Sequence, residues 1–274
     1  MPTKLRAENA SVSEYLFSRS VAGTTHQDLI DSMETLTEGQ IKGRFFSFYP
    51  ERNVSLLHWL AKWIQRGAVP ILTMNLQKGF DWLPGQTIPD SWHHQMVFGV
   101  CNNGVFLTNP LESVGEQILS KQLCSPSELL VRRNDIISKW NLTCDLQRLM
   151  DVEEDERWEQ YNVIGQVINV LREEHQKPAN VSSPSSNANN SNAAAGGAAP
   201  PSSQGSTSQY SNPIQRTHVK IPASYKSGVT LFVNSASNAE CYNDLFACQD
   251  LPLKIPCCYN SEEKYLNTAS SEKY

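Results

Sequence analysis

The stretch WHHQMVFGVCNNGVFLTNP, residues 92–110, gathers the side chains of this chain best suited to chemistry. Two histidines, His93 and His94, open an apolar run. A turn follows, and a second apolar run ends at Asn109-Pro110. An imidazole takes and returns a proton near neutral pH, and works best when an amide or carboxylate holds its second nitrogen and fixes the tautomer. A histidine and Asn109 on neighbouring strands of one hairpin would supply that pair on rigid backbone. A thiolate within hydrogen-bond reach would complete a nucleophilic site, since the imidazole lowers the thiol pKa and later protonates the leaving group. The bland alternative is a core hairpin with one histidine tied to a loop and the other in solvent. Strand alternation does not choose between them: His93 shares a face with Gln95 and Val97, His94 with Met96 and Phe98.

Such a hairpin needs a frame, and the flanking sequence reads as mixed helix and strand. Thr25 is placed to cap a helix over HQDLIDSMETL, where Leu29, Ile30, Met33 and Leu36 recur at helical spacing. RFFSFYP reads as a short extended piece ended by Pro50. Ser55 precedes LLHWLAKWIQR, whose Leu56, Leu57, Leu60, Trp63 and Ile64 form one apolar face, with Gly67 just past the end. AVPILTMNL follows as a buried strand, then KGFDWLPGQTIPD as a loop long enough to wall a cleft. In the hairpin, Asn103-Gly104 suits positive φ. Further on, Ser125-Pro-Ser-Glu128 has the form of a capping box ahead of a helix over LLVRRNDIISKW. DVEEDERWEQYNVIGQVINVLREEH reads as one longer helix with Trp158, Tyr161, Ile164, Val167, Ile168 and Leu171 on its buried stripe.

The order of these pieces resembles the C-terminal half of a papain-like cysteine peptidase, closest to the peptidase C39-like group. The residues that carry the resemblance are WIQRGAVPIL, then HHQMVFGV, then VFLTNP, across roughly residues 55–112. It implies an α+β, papain-like fold with helices packed on a mostly antiparallel sheet. It also implies hydrolysis of peptide or isopeptide bonds, with His93 as general base and acid and Asn109 as its orienter. His93 fits better than His94, because Gly99 lies six and Asn109 sixteen residues beyond it. The C39-like group mostly has Asp where this chain has Asn109; papain-like enzymes in general use Asn there. Trp82 and Trp92, in and after the loop beside His93, are the candidates to line a substrate cleft together with His94, whereas Trp59 and Trp63 are four apart on one helix and read as core.

The nucleophile that the resemblance requires, a Cys opening an early helix, has no counterpart before Cys101. Cys101 sits eight residues from His93 on the same strand, roughly 26 Å away in extended chain. Cys124 precedes the capping box and would benefit from a helix N-terminus. Cys241, in NAECYNDLF, begins a helix that a permuted arrangement would have to bring to His93. Two accounts of the half-site stay open: a shortened form whose longer version supplies the thiol, or a fold that kept the histidine and lost the thiol. The competing function is a non-catalytic interaction module that holds a protein or peptide partner in the cleft or along a flexible segment. An acyl or amide transferase on the same scaffold stands third.

Composition bounds the rest. The 274 residues are 39% hydrophobic, with a formal net charge of -5, which lowers the expectation of nucleic-acid binding. No apolar run approaches the ~20 residues that span a membrane, and the first residues lack an apolar signal core. A cytoplasmic location, with the nucleus also open, and no secretion are expected. The seven cysteines show no CxxC spacing and the acidic run DVEEDE has no histidine at ligand spacing, so neither a metal nor a cofactor is expected. The Asn-x-Ser/Thr sequons, among them those at Asn53, Asn141, Asn180 and Asn189, carry no weight without export. Residues 177–213 are rich in Ser, Asn, Ala, Gly and Pro and read as a disordered linker. They separate a C39-like domain over 1–176 from a β-rich segment, 214–256, that would complete the same domain; 257–274 reads as a flexible tail. Within 214–256, THVKIPASYKSGVTLFVN reads as two strands about a Tyr-Lys-Ser-Gly turn.

Overall fold

The computed structural model of the protein describes residues 10–82, 86–150, 155–176 and 217–255. The 177–213 stretch, the 257–274 tail and the first four residues of DVEEDE lie outside the described residues. Chain order is α1 (Val12–Val21), α2 (His26–Leu36), β1 (Ile41–Ser47), α3 (Leu56–Gln65), β2 (Val69–Asn75), β3 (Trp92–Cys101), β4 (Gly104–Leu107), β5 (Glu112–Gly115) and α4 (Glu116–Leu123). It continues through β6 (Glu128–Arg132), α5 (Arg133–Ile137), α6 (Arg157–Gln160), α7 (Val163–His175), β7 (His218–Pro222), β8 (Gly228–Asn234) and α8 (Ala239–Ala247). The chain is thus α+β, and every strand pairing is antiparallel. Among the described residues no helix is long and apolar enough to cross a membrane.

Two compact units arise. One draws on residues within 1–23, 81–88 and 128–223, the other on 24–80, 89–127 and 224–274. The first pairs β6 with β7 and packs α1, α5 and α7 around them. Its α1 begins at a capping box in which Ser11 and Glu14 satisfy each other's backbone N–H. The second holds a six-stranded sheet in the order β1-β8-β2-β3-β4-β5. Alternation places Phe46, Leu72, Met74, Val97, Leu107, Val229 and Leu231 on one face, against Leu57, Leu60 and Trp63 of α3, Leu119 and Leu123 of α4, and Leu245 of α8. Full burial of each of these large side chains contributes roughly 1.5–3 kcal/mol. The other face takes α2, whose Ile30 closes on Gly43, and leaves Met96, Phe98 and Phe106 exposed.

Several local expectations hold. Thr25 caps α2 in a capping box with Asp28, Gly67 takes φ +88° after α3, and Leu56, Leu57, Leu60 and Trp63 are buried. Others are corrected. Ser55 stands at the α3 N-cap but makes no side-chain cap bond, and Leu36 is exposed rather than on the buried stripe of α2. In the hairpin, neither Asn103 nor Gly104 has positive φ; Gly104 is needed because a Cβ there would lie 2.2 Å from the Val114 carbonyl oxygen on β5.

The helix expected from Glu128 is instead strand β6, with only the short α5 after it. Leu129 and Val131 alternate into the interior and pair with Ile221 and Val219. The long helix expected over 151–175 is broken at Asn162, which takes φ 47° and caps α7 with its own side chain. The break rotates the buried stripe to Val163, Val167, Val170 and Leu171, leaving Ile168 exposed. The two strands of THVKIPASYKSGVTLFVN are both present but do not pair with each other. β7 joins β6, and β8 inserts between β1 and β2.

Candidate functional site

β3 carries the histidines into the sheet beside β2, with His93 opposite Met74 and His94 opposite Thr73. His93 points to the face of Gln95 and Val97. Its Nε2 lies 3.2 Å from the backbone carbonyl oxygen of Asn109, just past β4. A carbonyl only accepts, so Nε2 carries the hydrogen, and in the neutral ring Nδ1 keeps its lone pair. The hairpin therefore does bring His93 and Asn109 together, through the Asn109 backbone and not its side-chain amide. Asn109 adopts φ 57°, a left-handed conformation that asparagine tolerates better than most residues.

Gln95, missed in the sequence, holds that corner. It is 2% exposed, and its Nε2 reaches Thr108 O at 3.2 Å, Asn109 O at 3.3 Å and Glu112 Oε1 at 2.9 Å. The signal for it was its two-residue spacing from His93, which puts both on one face. Its Oε1 is buried without a partner.

His94 lies on the opposite face with both ring nitrogens engaged. Nε2 donates to Thr24 O at 2.6 Å, and Nδ1 accepts from Thr73 Oγ1 at 3.1 Å. Burial pushes its pKa down, the bond to Thr24 partly opposes this, and His93 adds a small push downward. His26 stacks on Phe45 with ring centroids 3.8 Å apart, and its pKa is also pushed down, first by burial and then by Lys226 and His94. Both folded values lie below the ordinary 6.5, so the fold prefers both rings neutral. The unfolded chain then binds protons first as pH falls. This share of stability is fully present above pH 6.5 and drains away as pH drops through 6.5 towards the folded values. Urea midpoints should therefore drop between pH 7.5 and pH 5.5, and His94→Gln should flatten part of that drop; a midpoint that holds or rises would refute the assignment.

Trp92 is half-buried and stacks on Tyr225, with centroids 5.6 Å apart and planes at 16°. Trp82 is half-buried in the first unit. Among the described residues no three of His, Cys, Asp and Glu gather where they would hold a metal ion.

The thiols are placed elsewhere. Cys101 is exposed at the far end of β3 and donates to Gly104 O. Cys124 terminates α4 as its C-cap, the opposite dipole end from the one expected, and burial followed by the Glu51 charge pushes its thiol pKa up. Cys241 does lie in the first turn of α8. It is 1% exposed, however, and burial raises its pKa despite Arg66 nearby. The Asn238 side chain that caps α8 also donates to Arg66 O, just before β2 begins at Val69. His93 pairs near the other end of β2, so the strand separates them by roughly 20 Å. Cys144 and Cys248 donate to backbone carbonyls of Lys139 and Leu245. Among the described residues, then, no thiol is hydrogen-bonded to His93.

Compared with models of known protein families, with curated proteins and with solved structures, the chain matches none.

Proposed function

We propose that this chain is a papain-like, C39-like scaffold that holds a protein or peptide partner beside His93 and Asn109, without cleaving it; Trp92, on the opposite face of β3 with His94, stands apart from that site. The observation that carries the reading is the pairing itself: an imidazole oriented through Nε2 onto a fixed loop, with no thiol among the described residues bonded to its Nδ1. A half-site of this kind presents a hydrogen-bond acceptor and an adjacent loop, which suits polar recognition of a peptide backbone. The same Nδ1 supports a second reading, in which a longer form brings a cysteine to His93 and hydrolyses a peptide or isopeptide bond. Neither reading calls on a metal or a cofactor, and both place the protein in the cytosol or nucleus.

A thiol-reactive probe distinguishes them. On the binding reading, the protein isolated from its own cells labels slowly and in order of exposure, with Cys101 foremost among the described cysteines, and His93→Ala changes no labelling rate by more than about twofold. A cysteine that labels fast and slows about tenfold or more in His93→Ala would establish the hydrolase instead.

A further inference from the structure

Among the described residues β1 is an edge strand, its single sheet neighbour being β8. The Phe48 N–H donates to Ser227 O, and Phe48 and Ser227 continue the register in which Ser47 faces Gly228. In an antiparallel pair such residues alternate, so Phe46 and Arg44 turn their backbone groups towards β8 while Ser47, Phe45 and Gly43 turn theirs outwards. The Ile41 N–H, next in that outward set, is already satisfied by Thr37 Oγ1. Outward N–H and C=O groups of this kind are a template for another strand.

Phe45 and Ser47 also line a cavity of about 450 Å3 in the same unit, together with His26, Arg52 and Lys226. That volume falls within the range of ligand pockets. Its charge is uncompensated. The Lys226 ammonium makes no hydrogen bond or ion pair among the described residues. Among the described residues the Arg52 guanidinium meets only the carbonyls of Leu251 and Tyr49, and its Nε is buried with no partner there. The one carboxylate on the cavity wall, Asp250, is drawn to Arg44 at 3.2 Å.

From this juxtaposition we infer that β1 docks an extended acidic peptide: its backbone adds as a strand along Gly43–Ser47, and a carboxylate seats between Arg52 and Lys226. Main-chain bonds supply the affinity and the two cations select the charge. The surface is distinct from the His93 cleft, since β8 and β2 lie between β1 and β3.

The test uses the full chain and a synthetic peptide of alternating threonine and valine ending in two aspartates. Titration should saturate, and backbone amide exchange at Gly43, Phe45 and Ser47 should slow on binding. Lys226→Gln, which removes no hydrogen bond or ion pair among the described residues, should weaken binding about three- to fivefold, and Arg52→Gln about tenfold. Changing both aspartates to asparagine should weaken it comparably, and N-methylating alternate peptide amides should abolish it. His93→Ala should leave it unchanged. Equal binding of the N-methylated peptide would reduce the site to a bare anion pocket and overturn strand addition. So would unprotected amides, an unchanged affinity in both cation variants, or a loss specific to His93→Ala, which would put the peptide in the cleft.

Discussion

Gly228→Ala is expected to detach the β1 edge and to destabilise the second unit by about 3 kcal/mol or more. A Cβ at Gly228 would lie 2.2 Å from the Phe46 carbonyl oxygen and 2.6 Å from the Phe45 ring. The first obstacle is backbone in the facing strand, so no rotamer change relieves it. Gly228 opens β8, the strand that bridges β1 to β2, and it pairs with Ser47 on one side and Thr73 on the other. The clash therefore pushes β1 outwards at the residues inferred to receive a peptide. The thermal midpoint should fall by roughly 10 °C, and peptide binding at the β1 edge should be lost even well below that midpoint. A variant as stable as the parent would show that the strands can part without cost, and would remove the basis for a rigid edge.

Leu72→Ala is the second large effect, and it separates packing from shape. Leu72 is 0% exposed at the centre of β2, flanked by Val229 and Gln95 in the neighbouring strands. Truncation removes its dispersion contacts and leaves a cavity on the face covered by α3 and α4, a loss of about 3 kcal/mol. Unlike Gly228→Ala it introduces no clash, so the backbone register stays. Urea unfolding should show the lower stability with an unchanged dependence on denaturant, while peptide affinity at low temperature stays within about twofold of the parent. A loss of affinity matching that of Gly228→Ala would mean that edge and core are not separable in this way.

How much of this was legible depended on the range of the forces involved. The face of α3, the Thr25 cap and the strand–turn–strand of residues 92–107 are local: each follows from side chains a few positions apart. The stretch after Ser125 shows the limit. Its cap-like residues suggested a helix, yet Leu129 and Val131 found their partners at Ile221 and Val219, beyond the 177–213 segment. A strand made by pairing across such a separation leaves only its two-residue alternation in the local text, and a four-residue helix signal outweighs that. The same holds for β7 and β8, neighbours in sequence whose pairing partners lie in different units.

The site divides along the same line. The sequence by itself determined that an imidazole and an Asn109 corner would meet, because both belong to one hairpin and strand geometry sets their distance. It also determined that helices and strands would mix, through the alternation of helical and strand periodicities, whereas their antiparallel α+β arrangement was what the resemblance implied. Only the tertiary structure decided which histidine kept a free nitrogen. Thr24 and Thr73, from a loop and a neighbouring strand, engage both nitrogens of His94, while His93 is bonded through Nε2 alone. Only the tertiary structure, too, left the outward groups of β1 beside two cations that have no carboxylate partner among the described residues, since Arg52 and Lys226 are brought to one cavity by strand order and not by sequence spacing. Hydrogen-bond satisfaction and charge compensation are properties of groups assembled from distant parts of the chain, which is why local pattern foretells the element and folding alone settles what its side chains are free to do.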